Sequence, residues 1–85
     1  MLVEVTLDAS EMEPPKPFER ATEILRQLEP GQYLRMLHRR LPYPLFEFCQ
    51  AMSLTHSVIK GSATPYQIIV YFPADEQALR QEGVL

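Results

Sequence analysis

The chain has no tryptophan, one cysteine and three glycines in 85 residues. None of its apolar runs approaches the roughly 20 residues that cross a bilayer. Each scarcity excludes something. Cys49 has no second cysteine to form an internal disulfide, and no Cys/His spacing resembles a zinc set, so neither a metal nor a cofactor is expected. Basic residues are outnumbered, 8 Lys and Arg against 11 Asp and Glu, for a net charge of −3. A field of that sign repels nucleic acid and anionic membrane. The segment Met1-Leu2-Val3-Glu4 lacks the basic start and apolar stretch of a secretory leader, so a cytoplasmic location is expected. A chain of this length holds one core, not two.

Proline is abundant, with eight residues. Leu2 to Leu7 reads as a strand with Val3, Val5 and Leu7 on one face, and Asp8 to Lys16 as a connection. Pro17 suits the first turn of a helix whose apolar stripe is Phe18, Ala21, Ile24, Leu25 and Leu28, closed by Pro30-Gly31. Gln32 to Arg39 is a second strand, with Leu34 and Met36 inward. Pro42 and Pro44 bracket a loop before a second helix striped by Leu45, Phe48, Cys49 and Met52. Thr55 to Lys60 and Tyr66 to Phe72 make a hairpin of strands around Gly61–Pro65. The predicted fold is α+β, a two-layer βαβαββ sandwich with both helices on one face of a mixed four-stranded sheet. Residues 1–73 form the domain, and 74–85 are a tail or a short helix.

Four marks recur in order along the chain: Leu7-Asp8, the run Pro14-Pro15-Lys16-Pro17, Glu29-Pro30-Gly31 and Pro65-Tyr66. With them the chain resembles the TusA/SirA-like sulfur carriers, and more closely a sister family of small bacterial domains of unassigned function. Pro42 and Pro44, within Leu41 to Leu45, match the Pro-x-Pro-Leu of that sister family. The resemblance implies strand order 1-2-4-3. It also implies that Pro14 stands where the carriers keep a nucleophilic cysteine at a helix N-terminus. Proline has no thiol and no N–H, so Pro14, Pro15 and Pro17 are expected to shape the loop and start the helix, with persulfide carriage at this site excluded. Carriers work by docking to enzymes, and the reading that follows is a non-catalytic protein-binding or adaptor module in redox or sulfur metabolism.

Arg35, His38, Arg39 and Arg40 form the one basic cluster, a candidate site for an anionic ligand or an acidic partner. That makes a small-ligand sensor the second reading. Sulfur transfer through Cys49 is a third, set against its place on an apolar stripe, where thiols are inert. His38 and His56 lack a third metal ligand. Tyr33, Leu37, Ile69 and Tyr71 are expected on the helix-free sheet face beside Arg35, as an interface for a protein partner or a second copy, unless Leu79, Val84 and Leu85 cover them.

Overall fold

Alternating side chains build four strands, β1 (Val3–Asp8), β2 (Gln32–His38), β3 (Thr55–Lys60) and β4 (Tyr66–Tyr71). The computed structural model describes residues 1–85. The strands form one mixed sheet in the order β1-β2-β4-β3, with β1 parallel to β2 and both other pairings antiparallel. The α+β sandwich of βαβαββ order is therefore the fold.

Helix α1 (Lys16–Gln27) and helix α2 (Tyr43–Ala51) lie on the sheet face that carries Leu7, Leu34, Met36, Ile68 and Val70. Ala21 and Leu25 of α1 and Leu45 and Cys49 of α2 complete that core. Their spacing of four puts each pair on one side of its helix. Phe18 and Met52, expected inward, stand instead at the rims of their helices, 38% and 41% exposed.

Pro30-Gly31 does not cap α1, which ends at Gln27 with Leu28 already extended. It forms a tight turn closed by Gln32 N–H donating to Glu29 O (2.9 Å), with Gly31 at φ +91°. Proline followed by glycine at positive φ is the demand of a type II turn.

The other sheet face is covered by the chain itself. After a 3₁₀ turn (Pro73–Asp75), helix α3 (Glu76–Gln81) lays Leu79 against Tyr33, Ile69 and Tyr71. Gly83, at φ +81°, then turns the chain back. Val84 N–H donates to Leu79 O (2.9 Å) and Gly83 N–H to Arg80 O (3.2 Å). This is a Schellman closure, and it brings Val84 onto the same apolar cluster as Leu79. Asp75 fastens the tail by accepting Gly31 N–H at 2.9 Å. The expected interface is corrected accordingly. Tyr33, Ile69 and Tyr71 are buried under α3, and Leu37 is half-buried at the edge of the covered region.

Candidate functional site

Parallel strands β1 and β2 end together, with Asp8 level with Leu37, and each is followed by a helix start. Pro15 precedes α1 and Pro17 is its second residue; Pro42 precedes α2 and Pro44 is its second residue. Between the two helix starts lies a cleft of about 170 Å³ lined by Pro14, Pro15, Pro17, Pro42 and Pro44, with Phe18 and Leu45. The peptide bond between Pro14 and Pro15 is cis. The walls are apolar throughout. A dry cavity of about 150 Å³ takes one benzene ring, so this cleft is of a size for a single aromatic or branched aliphatic side chain.

Helix N-termini ordinarily present free N–H groups to an anion. Here proline and local bonds remove almost all of them. In α1, Pro17 has no N–H, Lys16 donates to Glu13 O (2.9 Å) and Glu19 to Pro15 O (3.1 Å), which leaves only Phe18. In α2, Pro44 has none, Tyr43 donates to Leu41 O (3.0 Å), and Leu45 and Phe46 share Pro42 O (2.9 and 3.2 Å). Where a helix start would hold an anion, this chain has an apolar notch.

The basic cluster is divided by strand geometry. Side chains alternate along β2, so residues three apart point to opposite faces. Arg35 lies on the α3 side of the sheet, where its Nε donates to Glu4 Oε1 at 2.8 Å and its guanidinium also bonds Gln67. Tyr33 Oη donates to the same Glu4 carboxylate at 3.0 Å. Burial pushes the Glu4 pKa up, but hydrogen bonds from Thr6, Arg35 and Tyr33, with the Arg35 charge, hold it below the usual carboxylate range. His38 is half-buried, and its Nδ1 accepts the backbone N–H of Arg39 at 2.9 Å. Its pKa is lowered by burial and by the Arg40 and Arg39 charges. Arg39 and Arg40 are exposed beyond the strand. The four residues therefore do not make one site.

His56 is likewise separated from His38 by β4. It stacks on Phe46, with ring centroids 4.0 Å apart and planes 4° from parallel. Cys49 is fully buried, and burial alone pushes its thiol up to about 11, the opposite of an activated nucleophile.

Of the residues singled out in the sequence, Pro14, Pro15 and Pro17 line the cleft. Pro42 and Pro44, read there as a loop, form its other wall. The repeated signal was visible: each helix start carries two prolines two residues apart.

A family model described as "Uncharacterized conserved protein (DUF2249)" matches residues 6–69, from the middle of β1 into β4, which include both helix starts. No curated protein and no solved structure matches the chain.

Proposed function

Since the chain belongs to the DUF2249 family, with residues 6–69 matched, we propose that it is a non-catalytic protein-binding module whose docking point is the proline-lined cleft. The observation that carries this reading is an apolar notch lined by five prolines, beside helix starts whose N–H groups are missing or locally bonded except that of Phe18. The resemblance to the TusA/SirA-like carriers supports it from another side. In those proteins the matching helix start is where sulfur is loaded and unloaded, so it must meet partner enzymes. A scaffold with Pro14 at that position retains the presenting geometry and has lost the nucleophile. The partner is therefore a protein presenting one apolar side chain to the cleft, and the role is adaptor or regulator in redox or sulfur metabolism in the cytoplasm.

A small-anion sensor has less support, because Arg35 is engaged by Glu4 and the helix starts keep a single free donor, the Phe18 N–H. Sulfur transfer through Cys49 has less still, given its burial.

The test compares proteins retained from source-cell lysate by the wild type and by Pro44→Phe, which fills the notch from an exposed position. A partner held by the wild type and lost by the variant is expected. Equal retention by both, or none by either, defeats the proposal.

A further inference from the structure

β1 and β3 are the two edges of the sheet. Backbone bonding determines which of their residues face outward. Gly61 N–H donates to Pro65 O, and bonded pairs in an antiparallel ladder recur at every second residue. Ile59, Ser57 and Thr55 therefore turn their polar backbone groups to β4, and His56, Val58 and Lys60 hold theirs outward. On β1, Val3 N–H donates to Gly31 O and Ala9 N–H to Leu37 O, which leaves Glu4, Thr6 and Asp8 facing out.

The edges differ in what they would meet in a second copy. Two-fold antiparallel pairing puts the middle outward residue on the axis. At β1 this sets Glu4 opposite Asp8 of the copy, twice over, and like charges directly opposite are destabilising. Both carboxylates are already occupied at home, by Thr6, Tyr33 and Arg35 and by Ser10 respectively. At β3 the same operation sets Val58 beside its counterpart and a neutral His56 opposite Lys60. Free edges are ordinarily protected by proline, bulges or charge. β3 has an unbroken six-residue register, no proline, and Lys60 as its one charged side chain.

The surface beside β3 is aromatic. Tyr43 meets Phe46 edge-to-face at 5.8 Å, Phe46 stacks on His56, and Val58, 43% exposed, follows on the same sheet face. Exposed aromatic and aliphatic groups of this kind mark interface cores.

We propose that β3 is the seam of a homodimer, in which it pairs antiparallel with β3 of a second copy about an axis at Val58 and joins the two sheets into one. An edge of six residues is about 20 Å long. Alone it falls short of the roughly 800 Å² per partner of a standard interface, and the Tyr43–Phe46 flank supplies the rest. Association is therefore weak and concentration-dependent. The strand of the seam is β3 and the cleft lies at the helix starts; the two adjoin only at the Tyr43 flank, so the Val58 variants probe the seam without altering the cleft lining.

Sedimentation equilibrium over a roughly thousand-fold range of concentration tests it. The average mass is expected to double and stop there. Val58→Pro removes only an outward N–H, which an edge strand tolerates, and Val58→Lys places two ammonium groups on the axis. Each is expected to stay monomeric with an unchanged circular dichroism spectrum, while Thr6→Pro on β1 still dimerises. A wild type that remains monomeric throughout overturns the proposal. So does a dimer that survives Val58→Lys, or a mass that grows past two copies, the signature of head-to-tail pairing between β3 and β1.

Discussion

Arg35 and Glu4 lie diagonally across the β1–β2 ladder, Nε to Oε1 at 2.8 Å, with side chains 24% and 33% exposed. The pair is half in water, so its worth is limited. A double-mutant cycle with Glu4→Gln and Arg35→Met should give a coupling below about 1 kcal/mol by urea denaturation near neutral pH. Because the folded-state pKa of Glu4 lies below its ordinary value of 4.5, the contribution is present above that value and fades as pH falls through the lower one. A coupling that grows on acidification would contradict this account.

The histidines work in the same direction. Burial lowers the pKa of both His38 and His56, so the unfolded chain binds their protons more readily. Stability should decline as pH drops below about 6.5, where the unfolded imidazoles begin to charge. His56→Phe, which keeps the stack on Phe46, should flatten its share of that decline. The check is the denaturation midpoint across this range for wild type and variant.

Leu79 and Gly83 carry the tail. Leu79→Ala removes a fully buried side chain and should cost about 2–5 kcal/mol, a large part of the whole stability of a small domain. Gly83→Ala forces a side chain into the left-handed region, at about 1–2 kcal/mol. Both should raise binding of a hydrophobic dye by uncovering Tyr33, Ile69 and Tyr71. Equilibrium unfolding with a dye assay reads both effects.

Pro14→Cys should not yield an activated thiol. The new thiol would have one free N–H nearby, on Phe18, and apolar walls. Its pKa should stay at or above the ordinary value of about 8.5. Thiolate absorbance against pH measures it, and a strongly depressed value would mean that this helix start can activate sulfur.

How far the fold could be read ahead depends on where the information is stored. Strands and helices announce themselves by period, which points Leu34, Met36, Leu45 and Cys49 inward, where the core holds them. The ends were harder. Pro30-Gly31 suits a helix stop as well as a turn, and only the extended backbone at Leu28 decides between them. The tail stayed ambiguous because Leu79, Val84 and Leu85 follow no helical spacing. They meet on one cluster only because the chain reverses at Gly83. The division of Arg35 from His38, by contrast, follows from strand alternation alone. The cleft depends on two loops 27 residues apart in sequence, Pro15 and Pro42, whose meeting is tertiary.

One peptide neighbourhood sets an order on assembly. Gly31 O accepts Val3 N–H and Gly31 N–H donates to Asp75, each at 2.9 Å, so β1, the β2 turn and the tail are fastened at one residue. On the ribosome, the first two of these emerge long before the third. Until Asp75 and Leu79 have left the exit tunnel, Tyr33 is without its cover and Gly31 lacks its carboxylate. Until then the sheet face that carries Tyr33, Ile69 and Tyr71 lies open, and closing it falls to a handful of residues that emerge later.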